Sequence, residues 1–258
     1  MRSRGRLRCA GCYAEGLRGC SDSLSLEHYV SGSALKLTAD EDGMVSTEGF
    51  AWLSEGERRS VPAHKFGARI LCRAHNSALE PLDRVGARFF DPIVNVGAFF
   101  RENPNAGQDR RVLVSGHDVE RWFLKVLIGA AFGVMRETKE AWRPPKAWLR
   151  ILYGVDPRFP DGHGLALEAV PGSTAPIRRN MGFAPLFENG ELAGLLAELA
   201  GMRFRLFMTE RGRKASVYRP GSIVWTAPSG VRQVLFLGWE RPDGERRVDL
   251  EWGEIPET

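Results

Sequence analysis

The sequence predicts an α+β fold in two units, a small cysteine-bearing lobe and a larger mixed domain. Three observations predict it. Two short Cys/His pairs, Cys9-Ala10-Gly11-Cys12 and Cys72-Arg73-Ala74-His75, bracket the first stretch of chain. Segments with strand-like alternation are interspersed with segments whose apolar residues recur at helical steps. The turn-rich run Glu102-Asn103-Pro104-Asn105-Ala106-Gly107 divides the chain into units 1–102 and 103–258.

Composition narrows the class. A chain of 258 residues, 43% apolar and 26% charged, with seven Trp and fourteen Phe, can bury a real core. The longest apolar run, Trp122 to Val134, is broken by Lys125 and falls short of the roughly 20 residues a membrane helix needs, so no membrane partner is expected. The basic start, Met1 to Arg8, leads into Cys, Gly and Glu instead of an apolar segment, which predicts a cytoplasmic protein. Thiols stay reduced there, and a Cys-x-x-Cys then points to metal chemistry before disulfides. The net charge of +4 and pI of 9.0 mildly favour a polyanionic partner.

In order along the chain, residues 9 to 20 read as a Gly-rich knuckle able to turn around an ion. Leu24 and Leu26 alternate as a strand that would hold His28 on a rigid element. Val45 and Phe50 to Leu53 read as arms of an inserted hairpin. Phe66 to Leu71 reads as a strand ending at Cys72, followed by a helical pattern, Leu79, Leu82, Val85, Phe89 and Phe90, in which Pro81 and Pro92 must start, kink or stop a turn. The second unit opens with a strand, Arg111 to Val114, then a helix capped by Ser115 with Asp118 three residues on, burying Val119, Trp122, Phe123, Val126, Leu127, Ala130, Ala131 and Val134. Strands are predicted at Ala147 to Tyr153, Leu165 to Val170, Phe204 to Met208, Ser222 to Thr226 and Val231 to Trp239. A helix is predicted from Gly190 to Ala200, with Asn189 as its cap and Gly201 as its stop.

Zinc takes four tetrahedral thiolate and imidazole ligands, commonly as two pairs on separate elements. Cys9, Cys12, Cys72 and His75 fit that demand, with Cys20 as a substitute for one of them. Binding free energies of roughly 10 to 16 kcal/mol for small structural sites would make such an ion necessary for the lobe to fold.

The order Cys-x-x-Cys, then Glu27-His28, then Cys72-x-x-His75-Asn76 resembles the HNH endonuclease superfamily, in its zinc-stapled treble-clef, ββα-metal branch, over about residues 9 to 90. The resemblance implies that Cys9, Cys12, Cys72 and His75 hold a structural Zn²⁺. It implies His28 as general base on an attacking water, with Glu27 and Asn76 as ligands of a catalytic Mg²⁺ or Mn²⁺. An imidazole suits water activation near neutral pH, and oxygen ligands suit a hard cation. The chain has Ser31 where the family commonly has Pro, and no Asn between Lys65 and Leu71 to orient the histidine.

Two functions are therefore expected. One is metal-dependent hydrolysis of DNA, with Arg211, Arg213 and Lys214 at a hairpin tip touching phosphates. The other is a zinc-binding module that has lost catalysis and binds nucleic acid, or a protein partner through the C-terminal unit. His117 reads as a helix-start residue and His163 as part of a turn. His64, close to the second metal pair, is a candidate phosphate contact.

Overall fold

The computed structural model describes residues 9–17, 19–48, 57–105, 107–137, 142–168, 181–209, 217–239 and 247–251. The chain begins with the turns around Cys9 and Cys12 and then forms β1 (Leu24–His28) and α1 (Gly32–Thr38). The hairpin β2 (Met44–Glu48) and β3 (Arg58–Pro62) follows, then β4 (Gly67–Cys72) and α2 (Arg73–Val94). Next come α3 (Val96–Glu102), β5 (Arg110–Ser115), α4 (Gly116–Glu137) and α5 (Lys146–Leu152). Eight strands complete the order: β6 (Gly164–Glu168), β7 (Met181–Glu188), β8 (Glu191–Leu199), β9 (Met202–Phe207), β10 (Val217–Tyr218), β11 (Ser222–Thr226), β12 (Arg232–Gly238) and β13 (Arg247–Glu251). The fold is mixed α and β.

Among the described residues the strands form three sheets. β1 pairs antiparallel with β4, so that Leu24 faces Cys72 and His28 faces Gly67. A seven-stranded sheet runs β10-β6-β9-β8-β7-β2-β3, and a four-stranded one runs β13-β11-β12-β5. The larger sheet crosses the two sequence units, because β2 of the first pairs in parallel with β7 of the second, Thr47 opposite Met181. α4 lies between the parts, touching α2 and β4 on one side and β5, β7, β8, β9 and β12 on the other. Its wide apolar face, Val119, Trp122, Phe123, Val126 and Leu127, is fully buried in one continuous core. The Ser115 cap is formed: the Asp118 backbone N–H donates to Ser115 Oγ at 3.2 Å.

Two elements differ from the sequence reading. The helix predicted from Gly190 to Ala200 is strand β8, hydrogen-bonded to β7 and β9 on its two sides. The reason is the pair Asn189-Gly190, both at positive φ (52° and 83°), which makes a two-residue hairpin turn between Glu188 and Glu191. Sheet burial then outweighs the helix preference of the Leu- and Ala-rich run. The strand predicted over Ala147 to Tyr153 is helix α5, entered from Pro145 and burying Leu149, Ile151 and Leu152. Pro81 and Pro92 sit inside α2 without ending it, since the buried face from Leu79 through Leu82, Phe89 and Phe90 to Ile93 continues past both. The expected strand at Phe50 to Leu53 lies outside the described residues.

Candidate metal centre

Local chain geometry assembles the centre. β4 delivers Cys72 as its last residue, and α2 starts at once, placing His75 in its first turn. The knuckle docks on this junction through backbone bonds: the Tyr13 N–H donates to Ile70 O at 2.9 Å and the Arg73 N–H to Ser23 O at 3.0 Å. Cys12, Cys20, Cys72 and His75 then offer four ligand atoms within 4.8 Å of one another. His75 Nδ1 stands 3.6 Å from Cys12 Sγ, 3.6 Å from Cys20 Sγ and 3.3 Å from Cys72 Sγ. A tetrahedral zinc with bonds of about 2.3 Å to sulfur and about 2.0 Å to nitrogen sets those edges at about 3.5 Å. The four residues therefore fit a metal ion such as zinc.

The protein alone favours a thiolate at Cys72 and disfavours one at the other cysteines. Burial works against the Cys72 thiolate, but the backbone N–H groups of His75 and Ser21, the latter at 3.4 Å, act with the Ser21 and Cys12 side chains to lower the thiol's pKa. Burial dominates at Cys12 and pushes its thiol up to about 12, although the amides of Cys72 and Ala14 pull the other way. Burial also raises Cys9 and Cys20. Metal must displace these protons, so its uptake is pH-dependent. A tetrahedral ion held by three thiolates and one imidazole would have no coordination position left for water.

Cys20, read from the sequence as a substitute ligand, stands within the group of four. Cys9 is buried beside it and directs its backbone N–H at the Cys20 sulfur. The rest of the molecule braces this centre: Tyr153 OH donates to His75 O at 3.3 Å, and Arg143 Nη1 donates to Cys12 O at 3.2 Å.

Next to the centre lies a buried ionic network that the sequence did not disclose. Glu27, on the inward face of β1, is 2% exposed, and its Oε1 lies 2.7 Å from Nζ of Lys125 on α4, which is 1% exposed. The same ammonium donates to Asp83 Oδ1 at 2.5 Å and to the His28 carbonyl at 3.1 Å. Ser31 donates to Asp83 at 2.6 Å and accepts from Trp122 Nε1 at 2.7 Å. Burial raises the Glu27 carboxyl pKa, and Lys125 pulls it back only in part. Lys125, which reads in the sequence as a break in an apolar run, is the signal that could have been used: a lysine on a buried helix face requires a buried acid.

The other predicted residues are placed as follows. Asn76 donates from Nδ2 to Ser25 Oγ and to Leu26 O, both at 2.9 Å, tying α2 to β1. Glu27 and Asn76 are thus engaged separately. His28 is half-buried, and its pKa is lowered by burial first and by Lys125 second, with His64 adding to the effect. His117 approaches Glu120 at 3.5 Å and meets Trp239 edge-on. Arg211, Arg213 and Lys214 lie outside the described residues. No helix among the described residues is long and apolar enough to cross a membrane. No protein-family model, curated protein or solved structure matches the chain.

Proposed function

We propose that this chain is a zinc-organised nucleic-acid-binding protein whose N-terminal lobe is a treble-clef, ββα unit of HNH type that has lost phosphodiester cleavage. The antiparallel β1–β4 pair leading straight into α2, with the Cys/His group at the junction, supports the architectural part. One observation carries the loss of cleavage. The carboxylate of Glu27, which a nuclease of this type would offer to its catalytic cation, is closed off from solvent and committed to Lys125. A phosphate oxygen cannot share an ion with a carboxylate it cannot reach. Lys65, Arg69 and Arg73, all exposed along and beside β4, supply positive charge for a backbone, with DNA the expected partner.

The test uses the zinc-loaded protein and a labelled DNA duplex. Salt-dependent binding that weakens in Lys65→Ala, Arg69→Ala and Arg73→Ala, with no product in Mg²⁺ or Mn²⁺, is the expected result. Failure to bind DNA or RNA would redirect the assignment to a protein partner. A second reading, active HNH-type hydrolysis with His28 as base, is favoured by the depressed pKa of His28, which keeps its imidazole neutral at pH 7. Metal-dependent cleavage abolished by His28→Ala in a folded protein would establish it.

A further inference from the structure

The cysteine lobe offers one more metal-binding side chain than a tetrahedral ion can use. Cys12, Cys20, Cys72 and His75 bring their ligand atoms within 4.8 Å of one another, and Cys9 stands outside that group. Cys9 nonetheless lies against it: its side chain is buried and its backbone N–H is directed at the Cys20 sulfur. A turn fixes this placement, since the Cys12 N–H donates to the Cys9 carbonyl at 3.0 Å. With the four positions filled, the Cys9 thiol is left over for other chemistry.

Cys9 and Cys20 differ from the other two cysteines in ways that suit them to react with each other. Cys12 and Cys72 are fully buried, and Cys72 is pinned as the last residue of β4. Cys20 is the partly exposed member of the four ligands. It lies in irregular chain after Gly19, which has a φ of 94° and open space where a Cβ would be. A small oxidant therefore meets Cys20 first, because reactivity follows thiolate character and access. The irregular stretch around Cys20 can shift to close an S–S bond of about 2.05 Å without unseating a helix or a strand. The partner is at hand, since the Cys9 amide already touches the Cys20 sulfur.

We infer that Cys20 and Cys9 are an attacking and a resolving thiol for peroxide, and that their disulfide dismantles the metal centre. The Cys20 thiolate, which metal binding keeps deprotonated, attacks one peroxide oxygen. The O–O bond breaks and hydroxide leaves, so that the sulfur is oxidised to a sulfenic acid and the peroxide is reduced. The Cys9 thiol then attacks the Cys20 sulfur, the S–O bond breaks, and the hydroxyl leaves as water with the thiol proton. Cys12, Cys72 and His75 remain as three ligands for an ion that takes four, and a thiol or phosphine reductant restores the fourth. The inference rests on the metal centre and not on nucleic-acid binding.

The experiment treats the zinc-loaded full chain with hydrogen peroxide beside a chromophoric zinc chelator and maps disulfides by mass spectrometry. Zinc should be released in step with a Cys9–Cys20 disulfide, and the chain should bind zinc again once a phosphine has reduced it. Cys9→Ser, which keeps all four ligands, should form no such disulfide. Its Cys20 should label with dimedone as a sulfenic acid, and its zinc binding should not recover as oxidation goes further. A disulfide joining Cys20 to Cys12 or Cys72 would overturn the inference. So would zinc that stays bound throughout, or a Cys9→Ser chain that recovers zinc as fully as the natural protein. The disulfide map is read on the natural protein, so it decides the question even where the variant fails to fold. A chain that holds no zinc before treatment would refute the metal centre, and the thiol pair with it.

Discussion

Among its described side chains helix α4 (Gly116–Glu137) buries two charged ones, Glu120 and Lys125, and each stitches it to a different flank of the molecule. Glu120, fully buried, faces the C-terminal strands. It accepts from Arg219 Nε at 2.9 Å and Nη2 at 3.3 Å, and from the Leu165 backbone N–H at 2.9 Å. Lys125 faces the N-terminal lobe and meets two acids. The first joint is balanced: one carboxylate meets one planar guanidinium spanning both its oxygens, with the Leu165 amide and, at 3.5 Å, His117 beside them. Arg219 has a positive φ of 45°, and its guanidinium lies over the rings of Tyr218 and Trp239. The second joint is unbalanced, with more acid than base. A balanced buried pair is complete as structure, whereas an unbalanced one retains an appetite for positive charge or for a proton. The candidate metal centre lies on the unbalanced flank.

Removing the metal should break this comparison most strongly. Chelation withdraws roughly 10 to 16 kcal/mol of binding free energy from one flank only. Hydrogen exchange should show loss of amide protection through the knuckle, β1 and β4, while β8 and β9, packed in the larger sheet, remain protected longer. Uniform loss across both flanks would mean that α4 does not separate them. Within the centre, Cys20→Ser should abolish tight zinc binding. Cys9→Ser, which keeps the backbone N–H to the Cys20 sulfur, should cost no more than the about 10- to 100-fold typical of an outer-shell change. The reverse ranking would put Cys9 in the ligand set.

The two ionic joints should then respond differently to the same chemical change. Glu120→Gln leaves the half-buried Arg219 guanidinium without its counter-charge and is expected to cost about 3 kcal/mol in denaturant unfolding, the low end for a buried pair. Glu27→Gln removes one of two acids from an ammonium that keeps Asp83, and should cost less than half as much. Equal losses would contradict the charge asymmetry.

How much of this was legible in the sequence follows from how far apart the partners lie. Cys12 is recognisable through its local Cys-x-x-Cys, and Cys72 and His75 through their own spacing and the strand-to-helix switch they straddle. The choice between Cys9 and Cys20 depends on how the knuckle folds back, which spacing does not encode. The Glu27–Lys125 pair is hidden because Lys125 lies on α4, about a hundred residues away, and shows in the sequence only as a flaw in an apolar stripe. Asn189-Gly190 suits a helix cap and a hairpin turn alike, and both residues adopt the positive φ of the turn that leads into β8. The Leu- and Ala-rich run favours helix locally, and only pairing on both sides decides otherwise.

A smaller effect is expected where the lobe and α4 touch without charge. Gly86 of α2 passes so close to Trp122 that a Cβ there would lie 2.2 Å from the indole Nε1. Gly86→Ala must push α2 from α4 or displace Trp122 from Ser31, at about 1 to 3 kcal/mol. Because Ser31 positions Asp83, the change should also loosen the unbalanced joint, detectable as faster exchange of the Lys125 backbone amide, with Glu120 and its neighbours unaffected. A variant as stable as the natural protein would show that the two helices have slack.

The finest distinction is in pH. Burial holds the Glu27 carboxyl above its ordinary value of 4.5, so the folded protein keeps that proton to a higher pH than the unfolded chain does. Its contribution to stability is fully present below about 4.5 and is lost as pH rises through the folded pKa. His28 has the opposite sign. Its depressed pKa supports the fold above the unfolded value of 6.5 and loses that support as pH falls through the folded value. The two effects overlap in weak acid, and metal release from the thiolates adds to the fall. A difference measurement separates them, because Glu27→Gln keeps His28 and the cysteines and resembles the protonated acid. The melting temperature of the natural protein, taken relative to Glu27→Gln, should climb as pH is lowered from 7 towards 4.5. A difference that stays flat over that range would mean that Lys125 neutralises Glu27 fully, and the flank would be as balanced as its counterpart at Glu120.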